Sequence, residues 1–365
     1  MVFSSFHDGE TEEMKEPGAT TTSPWRKSRV ACRHSGCHTP GPCRWSAALI
    51  LIALPIAATA HHSTRAIFDH SQPTEVEGTI SSVFWRNPHI GLTLLVENEA
   101  GETEEWEIEG GTFNDLQRSG FDTETVAIGD RVRVVGASSR RGLNELYLDR
   151  LLSPAGEELM ESGVRTTDVS GSQGSQDLSA PTGIFRVWVF GGTLHGLREP
   201  LSVTPVAEAA RAAWDPFTDD PSHRCQAPGM PNAVLNPYPM EFVDRGEQIV
   251  QRIEEWDGVR TIHMSADSPG QGEATPLGYS VGRWEGKTLV VETTNIDYPL
   301  LDDSGTPMSP AVRVVERYTL SEDDTRLDLV LTVTDPPNLA APAVWTAGWD
   351  WEPGLQVRPF ECTVR

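Results

Sequence analysis

Two adjacent histidines, His61 and His62, stand directly behind the small residues Ala58-Thr59-Ala60. Cleavage after Ala60 turns His61 into an N-terminal residue whose α-amine and ring nitrogen chelate one metal. A second imidazole then completes a nitrogen-rich planar set that suits Cu(II), so copper is the expected cofactor. Cleavage two residues earlier puts His61 third in the chain, where amine, amide and imidazole nitrogens together bind Cu(II) or Ni(II). The competing reading is a frayed end with two idle histidines. His89, in Trp85-Arg86-Asn87-Pro88-His89, is the further imidazole such a site can recruit, with Trp85 shielding the metal. Otherwise Trp85 is core and His89 caps a turn, since Asn-Pro favours one.

A second set of residues has acid–base chemistry. Period-two parity puts Glu316 on one strand face with Val312, Val314 and Tyr318, Glu292 with Val290, and His263 with Val259 and Thr261. If these faces line one barrel interior, Glu292, Glu316 and His263 form the catalytic group of a lyase, isomerase or hydrolase, with titration perturbed by burial. The alternative pairs the carboxylates with Arg252, Arg260 or Arg317 as structural ion pairs. Gly278-Tyr279-Ser280-Val281-Gly282 fits the nucleophile-elbow spacing, but that device needs a helix after the serine. Here a β-rich run, Thr288 to Thr293, follows instead, which excludes a serine hydrolase of that kind.

The elements that must position these residues begin with an address. Arg44, the apolar run Ala47–Ala60 and its small-residue end have the order of a secretory signal, and the run is short for a bilayer span. Residues 1–60 are therefore read as leader and signal peptide, and the protein as periplasmic or secreted. No later stretch is apolar enough to anchor it in a membrane. Cys32, Cys37 and Cys43 leave with the leader, and Cys225 and Cys362 remain to form one disulfide in an oxidising compartment. A formal charge of −24 repels phosphate backbones and excludes nucleic acid as a partner.

Residues 61–154 read as about five strands, with a short helix, Phe113 to Ser119 capped by Thr112, between the third and fourth. That is the order of a small OB-like barrel. Residues 155–182 form a linker, marked by Ser170 to Asp177. The unit 183–365 opens with apolar residues Ile184 to Phe190 and a helix from Thr204 to Trp214, with Pro205 at its first position. A proline-rich loop follows, and then at least seven strands: Gln248 to Trp256, Arg260 to Met264, Leu277 to Trp284, Thr288 to Asn295, Val312 to Leu320, Arg326 to Thr334 and Ala343 to Trp349. The expected fold is mainly β, a small OB-like barrel followed by a larger antiparallel β-barrel or sandwich. Trp345, Trp349 and Trp351 are read as core.

Two resemblances add to this reading. His61-His62-Ser63, Phe68-Asp69, Val76-Glu77-Gly78-Thr79, Trp85-x-Asn87-Pro88-His89 and Gly129-Asp130-x-Val132 resemble an uncharacterised family of small bacterial periplasmic proteins over residues 61–154. Gly278-x-Ser280-x-Gly282-Arg283-Trp284-Glu285-Gly286, Glu316-Arg317-Tyr318 and Asp335-Pro336 are similar to a second uncharacterised bacterial family over 183–365, with Lys287 in place of the expected aspartate. The Gly-x-Trp strand entry is similar to lipocalin-type barrels, in which a tryptophan seals one end against an arginine. These resemblances imply export and a β fold and bring no activity. The expected function is a soluble exported binding protein, with a copper-binding first domain and a small molecule held by the second domain's barrel. The alternatives are an enzyme using Glu292, Glu316 and His263, or a structural or partner-binding protein without ligand.

Overall fold

Alternation of apolar and polar residues builds the first sheet, and its closure follows from which strands can reach one another. A computed structural model describes residues 64–161, 183–191, 196–264 and 272–363. The expected signal peptide, His61, His62 and the segment Ser170 to Asp177 lie outside the described residues. A short helix α1 (Thr64–Ile67) leads into β1 (Phe68–Phe84), followed by β2 (Gly91–Glu97), β3 (Thr103–Glu109), α2 (Phe113–Arg118), β4 (Arg131–Ser139), β5 (Glu145–Leu152) and β6 (Glu158–Glu161).

The spatial order of the strands is β3-β2-β1-β4-β5-β6, and β3 also pairs in parallel with β5. Five strands therefore close on themselves, with α2 between the third and fourth, which is the expected OB-like arrangement. Register shifts between Asp69 and Pro73 and between Ile80 and Ser82 let the long β1 bend and serve two neighbours. Thr112 opens α2 by accepting the Asp115 amide at 3.1 Å. The interior is Ile80, Leu92, Leu94, Ile108, Val132 and Leu146, none of them more than 1% exposed.

The second sheet is a closed barrel of nine strands. Its elements among the described residues are β7 (Val187–Phe190), β8 (Gly196–Leu197), α3 (Pro205–Ala213), α4 (Asn232–Leu235), β9 (Met240–Asp244), β10 (Gln248–Ile253), β11 (Gly258–His263), β12 (Tyr279–Glu285), β13 (Thr288–Thr294), β14 (Arg313–Leu320), β15 (Arg326–Thr334) and β16 (Ala343–Asp350). The ring runs β15-β14-β13-β12-β11-β10-β9-β7-β16 and returns to β15, with β8 added outside on β16. Its pairings are antiparallel except β11 with β12. Closure removes the exposed edges that a sandwich would keep. Leu289, Val291, Val314, Leu329, Leu331 and Val333 fill the interior, so this barrel is a packed core. Trp345 and Trp349 are buried within it and Trp351 packs against it. The lipocalin-type seal is not formed by Trp284, which is 44% exposed and meets Phe185 edge-on. Arg186 instead lies over Trp351 at 4.4 Å and Trp188 at 5.5 Å.

The two barrels share a polar junction built around residues 358–363. Asn87, in the loop after β1, donates to the Phe360 carbonyl and to Asn114 Oδ1. Asn114 in turn donates to the Pro359 carbonyl and to Glu254 Oε1, both at 3.1 Å. Glu254 is fully buried, pairs with Arg118 and accepts the Arg358 amide at 2.9 Å. Cys362 is joined to Cys225 by the expected disulfide, which ties this segment to the proline-rich loop. Among the described residues no helix is long and apolar enough to cross a membrane.

Candidate functional site

Four segments without regular periodicity meet beside this junction and leave a cleft of about 590 Å³, open mouth included. Pro88 and His89 come from the loop after β1, and Trp214 to Tyr238 from the proline-rich loop. Glu255 and Trp256 come from the turn after β10, and Tyr298 to Asp303 from the loop before β14. The turn is the informative element. The alternating Ile249, Gln251, Ile253 and Glu255 predict a strand running to Trp256, but β10 stops at Ile253. A one-turn 3₁₀ segment, Glu255–Asp257, follows, with Trp256 and Asp257 both in left-handed backbone, at φ 51° and 53°. A bulky residue held there is backbone strain of a kind that gathers at binding sites. Its effect is to turn Glu255 and Trp256 out of the sheet and into the cleft wall.

Two aromatic walls are fixed by glycines. The Tyr298 ring packs so closely on Gly229 that a Cβ there would lie 2.4 Å from it, and the Trp214 ring stands equally close to Gly305. Trp256 stacks on Phe360 at 5.0 Å, and Tyr238 meets the same ring edge-on at 5.6 Å.

Four carboxyls line the cleft, and no lysine or arginine is among its lining residues. Two of them serve the loops: Asp220 accepts the Ser222 amide at 2.8 Å, and Asp302 accepts from Ser304, Thr306 and the Thr306 hydroxyl. The other two are poised differently. Burial pushes the Glu255 carboxyl up from 4.5 to about 8; the 2.6 Å bond from Asn236 opposes this and the Asp303 charge adds to it. Burial, then Asp220 and Asp302, pushes Asp303 up from 3.8 to about 7, with Asn232 donating to its Oδ1 at 3.3 Å. Burial also raises the Tyr298 hydroxyl, helped by Asp220 and Asp303. Asp303 Oδ2, Ser222 Oγ and the indole nitrogens of Trp214 and Trp256 are buried with no hydrogen-bond partner among the described residues. Such atoms cost stability unless something completes them.

Among the described residues singled out from sequence as metal or catalytic candidates, one lies at the cleft. His89 lines the cleft, and also a neighbouring groove of about 550 Å³ that reaches Arg86, Glu109 and His223. Its Nδ1 lies 2.9 Å from the Gly110 carbonyl and 3.7 Å from Glu109, so the bond to the carbonyl puts the proton on Nδ1. Trp85 packs on the smaller barrel's core and against Phe113, as the bland reading has it.

Glu292, Glu316 and His263 are not brought together. Cross-strand partners share a face, and Glu292 lies opposite Val315 while Glu316 lies opposite Val291, so the two carboxylates point to opposite sides of the wall. Glu292 is on the outer face, held by a two-pronged pair with Arg313 that draws its pKa down. His263 also lies on the outer face, stacked on Tyr279 at 4.7 Å. Glu316 is fully buried inside, bound through both oxygens by Arg260 at 2.7 and 3.0 Å and by the Tyr318 hydroxyl at 2.6 Å. Arg260 also reaches Gln251 at 2.6 Å. Every strong partner of this carboxylate is another interior side chain, the arrangement of a structural ion pair.

Among the described residues no group of three His, Cys, Asp or Glu is placed to hold a metal ion. Residues 48–146 match a family of unknown function (DUF6152), a segment that ends inside β5 and contains the loop carrying His89. No curated protein matches the chain.

Proposed function

We propose that the chain is an exported binding protein whose small-molecule site is the cleft beside the junction of the two barrels. A β-barrel protein with a segment from an uncharacterised family fits binding in general. The observation that carries the finer reading is the group of unpartnered polar atoms, three donors and one acceptor, on residues that also line an aromatic-walled cleft. The larger barrel's interior is packed, which supports a site on its flank over one inside it.

The test is to record indole N–H signals of isotope-labelled protein against a panel of small polar compounds, comprising sugars, polyols, amines and carboxylic acids. Saturable shifts at Trp214 and Trp256 are expected. A panel that moves neither signal removes the cleft from consideration.

Copper binding by His61, His62 and His89 is a second reading. Phe68, six positions after His62, packs on Tyr147 at 5.7 Å, and His89 meets the same ring at 6.2 Å. The Gly110 carbonyl at Nδ1 also matches how metal-bound imidazoles are commonly oriented. Protein with a native His61 terminus should bind one Cu(II), while His61→Ala/His62→Ala protein should not; equal binding by both defeats the idea.

A further inference from the structure

We propose that the cleft takes a small hydroxylated amine, its ammonium against the Asp303 and Glu255 carboxyls and its oxygens on the indole N–H groups of Trp214 and Trp256 and the Ser222 hydroxyl. The assignment rests on the binding reading above and adds the ligand's chemical class.

Charge is the first argument. Of the cleft's lining residues four are carboxylic acids and His89 alone can become cationic. Two of the molecule's other buried carboxylates have a guanidinium, Glu316 with Arg260 and Glu254 with Arg118, while a third, Asp335, is held by Ser309 and Asn338. Glu255 and Asp303 have only the amides of Asn236 and Asn232. A cation supplied from outside gives them what the fold supplies at Glu316 and Glu254.

Hydrogen bonding is the second, independent argument. Asp303 Oδ2 is a buried acceptor without a donor among the described residues, and an ammonium is a donor with no acceptor capacity. The two indole N–H groups and the Ser222 hydroxyl lack acceptors, which an ammonium cannot provide and a hydroxyl oxygen can. A bare amine therefore leaves the indoles unsatisfied, and a neutral polyol gives Glu255 and Asp303 no charge to ionise against. A molecule carrying both groups satisfies all four atoms.

The walls are the third argument. Electron-rich faces of Trp and Tyr attract an ammonium within about 6 Å, and four such rings line the cleft. Burial already keeps Glu255 and Asp303 protonated to unusually high pH, so an arriving ammonium lets them ionise and each gives its proton to solvent. The chain's net charge of −24 favours the approach of a cation over that of an anion.

The test uses full-length protein and two probes with one skeleton: 2-amino-1,3-propanediol, and glycerol, which has a hydroxyl in place of the ammonium. The amine is expected to shift both indole signals with a Kd of about 1 mM. Glycerol should bind at least about tenfold more weakly, and Asp303→Asn should weaken the amine by about tenfold, the effect of losing one charge-assisted bond. Trp214→Phe, which keeps a ring and removes the N–H, should cost both probes a similar, smaller factor of about three. Urea midpoints establish that each variant is folded; if Asp303→Asn is not, Glu255→Gln takes its place with the same expected loss. Glycerol binding as well as the amine overturns the ammonium assignment and leaves a polyol cleft. So does an amine affinity unchanged in Asp303→Asn. Failure of both probes overturns it as well, and the wider panel then decides separately whether the cleft binds anything.

Discussion

Replacing Glu255 with glutamine should make the protein more stable in alkali and leave it unchanged in acid. Gln keeps an oxygen to accept the Asn236 amide and removes the ionisable group. In the unfolded chain the glutamate titrates near 4.5, and in the folded chain at about 8. Between those values the folded state binds more protons than the unfolded one, so stability falls as pH rises through that window and then levels off. At about 1.4 kcal/mol per pH unit, the wild type loses about 5 kcal/mol to this one carboxyl by pH 8. The groups facing it, Asn236, Tyr238, Tyr298 and Asp303, are kept in the variant, so their own titration largely cancels in the difference. Urea unfolding followed by fluorescence at a series of pH values between those two limits should show the two proteins equal at the acid end. They should diverge by about 5 kcal/mol at the alkaline end, with an unchanged slope on urea. A difference that stays constant across this range would falsify the claim that burial holds the carboxyl neutral.

Three other outcomes follow from the packing. Glu316→Leu alone strands Arg260 inside the barrel and should cost about 3–5 kcal/mol, whereas Arg260→Met with Glu316→Leu should recover most of it; equal losses in urea melts would refute the pairing argument. Cys225→Ser with Cys362→Ser opens a loop whose ends are 137 positions apart, and urea melts should record a loss of about 5 kcal/mol. Gly229→Ala drives a methyl into the Tyr298 ring and should cost about 1–3 kcal/mol by thermal unfolding; a silent substitution would mean that the aromatic wall is not fixed there.

The parts of this fold governed by period-two alternation were legible from sequence. The five-strand order of the smaller barrel is of this kind, as is the inward face of β14 with Val314, Glu316 and Tyr318, while the Thr112 cap was legible from helix-start chemistry instead. Parity failed on β13, where Leu289, Val290 and Val291 are all buried and no alternation distinguishes inside from outside, so Glu292 could not be assigned a face. It failed again at β10, whose alternation runs past Ile253 into a turn. Trp256 has no propensity for left-handed backbone, and the surrounding contacts rather than local sequence stop the strand. The cleft was missed for a related reason. Its residues come from loops, where spacing carries little information about contact, and Asp303 and Trp214 lie far apart in the chain. The one sequence signal that pointed here, Asn87-Pro88-His89, turned out to have two roles. Asn87 holds the junction and His89 faces the cleft.

The hydrogen bond from Asn87 to the Phe360 carbonyl spans 273 positions of chain. At roughly 5–20 residues per second of synthesis, the ribosome needs on the order of tens of seconds to deliver Phe360 after Asn87 has emerged. The smaller barrel's strands all lie between Phe68 and Glu161, so they can pair long before then. For that interval Asn87 and Asn114 have no junction to bond to, and the polar face they occupy stays open to water. Arrival of the segment around Phe360 is thus the step that commits the two barrels to each other, and the cleft lies beside that contact.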